Sequence, residues 1–198
     1  MQYKKEELMA VILENAEREF MQKGYQNASL RAIAKHSGTT IGNLYHYVEN
    51  KEALFERLVK QEHDAFLRLL QHHSEGMVPA GILESRDFRE WRAFLFVWLD
   101  TLMPVFTKRF YILLEKSGGS RFEHTRDEFA AVLEQHFTEH LKEMNAPIHP
   151  QMGKVIAQEL LCGVLYVIAR CEDPELLRTL ICDTLMFTIA GVMRVLGE

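Results

Sequence analysis

Residues 29–48 read Ser29-Leu30-Arg31-Ala32-Ile33-Ala34-Lys35-His36-Ser37-Gly38-Thr39-Thr40-Ile41-Gly42-Asn43-Leu44-Tyr45-His46-Tyr47-Val48. Two short helical patterns meet there at a glycine. Leu30, Ile33 and Ala34 recur at helical spacing behind Ser29, whose hydroxyl suits the unpaired amides of a first turn. Gly38 breaks that helix, Thr39 and Thr40 offer a second cap, and a further short helix is expected over about 41–47. Two short helices joined by a three- or four-residue turn containing glycine match the helix-turn-helix. The second helix is chemically odd for a core element, with only Leu44 and the face near Val48 plainly inward. Its other residues are small, hydroxylated, or aromatic with a polar tip. Small residues permit close approach to a groove, hydroxyls donate to phosphate oxygens, and asparagine pairs bidentately with adenine. Lys51 adds a cation at a helix start whose outward amides favour phosphate.

Outward from this unit the helical period continues. Leu8, Ile12, Ala16 and Phe20 recur every four residues and predict a first helix over about 4–23, stopped by Gly24. Asn50 is placed to cap a fourth helix bearing Leu54, Leu58 and Phe66. Gly76, Pro79 and Gly81 make 74–86 read as a linker. An aromatic-rich helix follows over about 87–101, and Pro104 is expected to start or kink one that runs to Lys116. After the loop Gly118-Gly119-Ser120, helices are expected over about 122–144, 151–171 and 175–196, with Asp173 and Pro174 starting the last. No segment has a strand period, so the fold class is all-α. The expected domains are a helix-turn-helix domain over 1–50, with its motif at about 29–48, and a ligand-binding and dimerisation domain over 51–198.

Composition narrows the classes. The 198 residues are 47% hydrophobic and 26% charged, as in an ordinary globular chain of one or two domains. The net charge of −5 is uneven: residues 1–60 hold nine Lys/Arg against eight Asp/Glu, and the remainder 14 against 20. A DNA-binding surface needs local cations, and this asymmetry permits one only in the first third. Cys162, Cys171 and Cys182 argue against a disulfide scaffold and for a reducing cytoplasm. The first twelve residues carry Lys4, Lys5, Glu6 and Glu7 instead of a signal-peptide core, and the longest apolar run, Gly163–Ala169, is short for a membrane span. A cytoplasmic protein without a membrane partner is expected.

The run from Ile12 to Leu54 resembles the DNA-binding domain of the tetracycline-repressor (TetR) family. The matching pieces are Ile12 to Ala16 and Phe20, then Lys23-Gly24-Tyr25, Ala28 to Ala34, Ser37-Gly38, and Gly42 to Leu54. The resemblance implies that Ser29 and Arg31 meet the DNA backbone. It places Thr40, Asn43, Tyr45, Tyr47 and Lys51 on phosphates or base edges, with Thr39, Ile41 and Gly42 beside them. Two positions depart from the family pattern. Thr39 stands where many members have an apolar residue. Ile41 stands where a polar or basic one is common, which suits a thymine methyl better than a hydrogen-bonded base. Lys51 and Tyr47 are expected to be exposed.

The resemblance also implies a regulatory domain enclosing an apolar effector cavity, here assigned to Phe94, Trp98, Met103, Phe106, Phe110 and Phe129. The last two helices are apolar nearly all round, more than a 198-residue monomer buries. A two-fold four-helix bundle is therefore expected, through Leu161, Val164, Leu165, Ile168, Leu185, Ile189 and Val192. Such a homodimer presents two reading heads to a palindromic stretch of double-stranded DNA. The reading is a regulator, most simply a ligand-released repressor, with no enzymatic activity and no cofactor or metal. Two alternatives stand beside it. One is an all-helical protein-binding module. The other is a metal hydrolase, because His136-Phe137-Thr138-Glu139-His140 matches the H-x-x-E-H pattern, though without a nominated third ligand.

Overall fold

Helical periodicity carries nearly all of the architecture. A computed structural model describes residues 2–72, 87–143 and 147–196, and among these every regular element is a helix. In chain order they are α1 (Gln2–Asn27), α2 (Leu30–His36), α3 (Ile41–Leu44), α4 (Lys51–His72), α5 (Phe88–Leu102), α6 (Lys108–Glu115), α7 (Thr125–Glu143), α8 (Met152–Arg170) and α9 (Pro174–Leu196). The linker expected over 74–86 lies outside the described residues.

Three expected boundaries shift for local reasons. Gly24 kinks α1 at φ 69° without ending it, and the helix runs on to Asn27. The helix expected over 41–47 is regular only from Ile41 to Leu44 and continues as turns through Tyr47. Pro104 starts no helix: residues 103–107 form turns, and Thr107 caps α6 by accepting from the Phe110 amide at 3.1 Å.

The chain divides into two units, Met1–Phe66 with Thr107–Arg126, and Leu67–Phe106 with Asp127–Glu198. The boundary expected after residue 50 therefore falls inside the first unit. The reason is packing. Leu54, Phe55, Leu58 and Val59 of α4 are as buried as Ile12, Ala16 and Phe20 of α1. The rings of Phe20 and Phe55 meet edge to face at 4.9 Å, and Tyr25 meets Phe55 at 5.1 Å. Segment 107–126 completes that core with Phe110, Ile112, Leu113 and Phe122, all buried.

Polar pins hold the same segment. Tyr25 N–H donates to the Lys116 carbonyl at 2.7 Å, Arg109 pairs with Glu17 at 2.7 Å, and Arg121 pairs with Glu56. Glu62, only 3% exposed, accepts from the Thr107 hydroxyl at 2.9 Å, and its other oxygen is buried without a partner. Burial pushes this carboxyl above its ordinary range, against the weaker opposing pull of Thr107 and Arg109. A carboxyl whose folded pKa is raised costs nothing below its unfolded value, costs progressively more as pH rises between the two values, and reaches its full cost above the folded one. Glu62→Gln is thus expected to be more stable than the wild type at pH 8. Its advantage should shrink as pH falls towards ~4.3, the ordinary glutamate value. Urea midpoints across that range check this, and a pH-independent difference would contradict it.

In the second unit α9 packs against α8 and α5. Trp91, Leu95, Leu99, Phe129, Ile156, Ala157, Ile181 and Cys182 are buried there. Arg178 ties α9 to α5, donating to Asp100 at 2.7 Å and to the Phe96 carbonyl at 2.6 Å. Burial pushes the Cys182 thiol up, which keeps it a packing residue.

Candidate nucleic-acid interface

The helix-turn-helix is assembled from caps. Ser29 is the N-cap of α2, and its hydroxyl accepts from Ala32 N at 3.4 Å. Its own amide donates to the buried carboxylate of Glu19 at 3.1 Å, and Lys23 donates to the same oxygen at 3.0 Å. Burial pushes Glu19 up, but those two donors outweigh it and leave the carboxyl below its ordinary range. Glu19 is a residue that sequence reading missed. A buried acid on the apolar face of α1, four residues before Lys23 and ten before a capping serine, was the available signal.

Gly38 turns the chain between α2 and α3 with φ 67°, a conformation that disfavours any side chain. Thr40 then caps α3, its hydroxyl accepting from Asn43 N at 3.1 Å. Thr39 accepts from the Asn43 side-chain amide at 2.8 Å, so Asn43 is held back onto the turn that precedes its helix. Leu44 is fully buried and anchors α3. Around it Arg31, Thr40, Gly42 and His46 are exposed, Thr39, Ile41 and Asn43 are half-buried, and Tyr45 is 51% exposed. The structure thus brings Thr40, Gly42, Asn43 and Tyr45 together around one short helix, with Arg31 on α2 before it. A Cβ on Gly42 would approach only the Thr40 hydroxyl, at 4.0 Å.

Two expected exposures are corrected. Tyr47 is half-buried, with the Lys5 ammonium 5.7 Å from its ring centroid. Lys51 is also half-buried. Its ammonium donates to the carbonyls of Gln26 at 3.1 Å and Ala28 at 3.4 Å and lies 4.7 Å from the Tyr25 ring centroid. These carbonyls end α1 and carry the negative end of its dipole, so the lysine is drawn onto the α1–α2 corner. Beside it Glu52 accepts from the Tyr25 hydroxyl and from Arg121 N. Burial and that carboxylate push Tyr25 up to about 12. Lys51→Ala is accordingly expected to cost about 1–2 kcal/mol of stability as well as affinity. Thermal melting checks this, and an unchanged midpoint would restore the reading of Lys51 as an exposed DNA-facing residue.

Residues 12–58 match the family model described as bacterial regulatory proteins, tetR family. This domain is of the TetR family. The chain is 29% identical over 80 residues to the HTH-type transcriptional repressor AcnR of Corynebacterium glutamicum, covering 40% of this chain and 43% of AcnR. It is 36% identical over 64 residues to the HTH-type transcriptional regulator UidR of Escherichia coli, covering 32% of this chain and 33% of UidR. These matches span less than half of either relative. The likeness of fold extends further. A TetR family transcriptional regulator from Chloroflexus aurantiacus superposes with a TM-score of 0.56 at 20% identity, covering 96% of this chain and 92% of that one. AibR, solved in complex with isovaleryl coenzyme A and operator DNA, superposes with a TM-score of 0.55 at 22% identity, covering 90% and 96%. The all-α fold of the TetR-family regulators is therefore shared over nearly the whole chain.

The other expected sites fare differently. Of the cavity residues, Phe94, Trp98, Met103 and Phe106 are half-buried in the second unit, and Phe129 is buried there. Phe110 is corrected: it belongs to the first unit, where it is 1% exposed on α6. An open hollow of about 270 Å³ in the first unit is lined by polar groups, among them Lys23, Gln26, Glu115 and Lys116. Tyr25 also lines it, and none of the six residues that the sequence suggested for an effector does.

The expected interface set divides by burial. Leu161, Val164, Leu165 and Ile168 are buried by their own chain, while Leu185, Ile189 and Val192 are half-buried. What α8 leaves outside is the stripe Val155, Glu159, Cys162 and Tyr166, and on α9 it is Leu176, Leu180, Asp183, Phe187 and Gly191. Helix α8 is long and apolar enough to cross a membrane by length and composition, with one face buried in its unit. The His140 side chain of the H-x-x-E-H match lies outside the described residues. Among the described residues no three His, Cys, Asp or Glu side chains gather as a metal site.

Proposed function

We propose that this chain is a cytoplasmic transcriptional regulator that binds double-stranded DNA as a homodimer. On this reading it is a repressor released by a small ligand, and not an enzyme. The observation that carries the reading is the head around α3, where buried Leu44 supports an outward row of Thr40, Gly42 and Tyr45 with Arg31 before it. A core needs none of these outward residues, whereas a groove needs all of them: a close-approach position, hydroxyl donors and a cation. Thr39, Ile41, Asn43 and Tyr47 flank the row. Ser29 and Lys51 contribute through the α1–α2 corner that aims it. The names of the relatives, a repressor and a regulator, support the same function. A second unit of four described helices supports a regulatory role, with a small apolar or aromatic molecule as the effector.

The test is Gly42→Val. The position is open in the free protein, so the variant is expected to fold with an unchanged melting temperature. Its affinity for a duplex enriched by in vitro selection should fall by ~10-fold or more, since each pairing at a base edge is worth about 1–3 kcal/mol. Fluorescence anisotropy measures it. Undiminished affinity would remove α3 from the groove, and salt-independent binding would favour a protein-docking module instead.

A further inference from the structure

The ammonium of Lys51 is held on the α1–α2 corner, so another cation is needed where the chain leaves α3. Lys5 stands there. It lies on α1, outside the matched stretch 12–58, and its side chain is exposed. Its Nζ is 5.7 Å from the centroid of the Tyr47 ring, in the turn that follows α3. Among the described residues no carboxylate pairs with Lys5. Glu6 and Glu7 are one and two positions away, spacings that do not face one another on a helix.

We propose that Lys5 and Tyr47 form one backbone-gripping element, a phosphate clamp at the edge of the reading head. This rests on the DNA-binding reading above. The ring of Tyr47 attracts the ammonium, and the same side chain carries a phenolic hydroxyl. An ammonium offers three donors and a phenol one, and together they complement a phosphodiester oxygen pair, which accepts only. Such a clamp carries no base information. It sets register and adds affinity equally on every sequence, leaving discrimination to the row on α3.

The experiment compares the full-length wild type with Lys5→Gln and Lys5→Arg. Affinity is measured between 50 and 300 mM KCl on the selected duplex and on a scrambled duplex of equal length. Removing one ammonium–phosphate pairing should reduce the slope of log K against log salt by ~0.9 per bound subunit. Lys5→Gln is expected to show that reduction, with a similar ~3–10-fold loss on both duplexes at the lowest salt. Lys5→Arg should keep the wild-type slope. A Lys5→Gln slope equal to the wild type overturns the clamp, and so does a loss confined to the selected duplex. A wild type that binds neither duplex overturns the DNA-binding reading itself, so the two failures are distinct. Circular dichroism confirms that Lys5→Gln keeps its helices, as an exposed position requires.

Discussion

Tyr166→Glu combined with Phe187→Glu is expected to give a folded monomer whose affinity for the selected duplex falls by at least ~100-fold. The first residue is 60% exposed on α8 and the second 85% exposed on α9. Phe187 lies almost wholly in solvent and Tyr166 carries the Arg170 guanidinium 4.0 Å from its ring centroid at the surface, so two carboxylates there leave the core of the second unit intact. Both lie in stripes at helical spacing that contain Val155 on α8 and Leu176 and Leu180 on α9, all exposed large apolar residues. An apolar surface of this kind marks an interaction site, and a second copy of the chain is the proposed occupant. An interface stable enough for a regulator buries about 1,200–2,000 Å² or more. Two heads held together bind adjacent half-sites with an advantage of ~10²–10⁴ over one head, and that advantage is what the variant removes. Sedimentation velocity at micromolar concentration reads the first outcome and anisotropy the second. A variant that stays dimeric would place the interface elsewhere. Leu165→Glu would be the wrong probe, because Leu165 is 3% exposed in its own unit and a charge there unfolds it.

Gly153→Val is expected to lower the melting temperature by roughly 6–12 °C, corresponding to about 3 kcal/mol of overpacking in a chain of this length. At Gly153 the start of α8 crosses α7 almost backbone to backbone. A Cβ there would lie 2.9 Å from the Thr138 amide nitrogen and 3.0 Å from its Cα, and would also meet the threonine hydroxyl. Backbone cannot yield as a flexible side chain would. Gly191→Val on α9, where a Cβ meets nothing within 4 Å, is the matched control and should change the midpoint by little. Equal effects from the two substitutions would show that helix propensity, and not the crossing, is responsible.

The helix-turn-helix was legible because its signals are local. Ser29 and Thr40 cap as their chemistry predicts, and Gly38 turns the chain where only a positive φ will do. The face chosen by α8 was not legible. A helix with Val155, Ile156, Leu160, Leu161, Val164 and Leu165 offers burial in every direction, and only α9 and its neighbours decide which side becomes interior. The fate of Lys51 was hidden for a similar reason. The carbonyls that capture it belong to Gln26 and Ala28, more than twenty residues earlier, and no spacing rule connects them. The buried acids Glu19 and Glu62 were likewise invisible as partners. Glu62 meets Thr107 across 45 positions.

The union of 1–66 with 107–126 sets a timetable for synthesis. When residue 66 leaves the ribosome, the head still lacks Phe110, Ile112, Leu113 and Phe122, and Glu62 faces no hydroxyl. At ~5–20 residues per second the missing segment follows roughly 3–12 s later. Until then the nascent chain carries its first helices with an open apolar seam where Phe110, Ile112, Leu113 and Phe122 will pack. A fragment ending at residue 66 would preserve that interval permanently, so the smallest stable head is one in which 107–126 is grafted back onto 1–66.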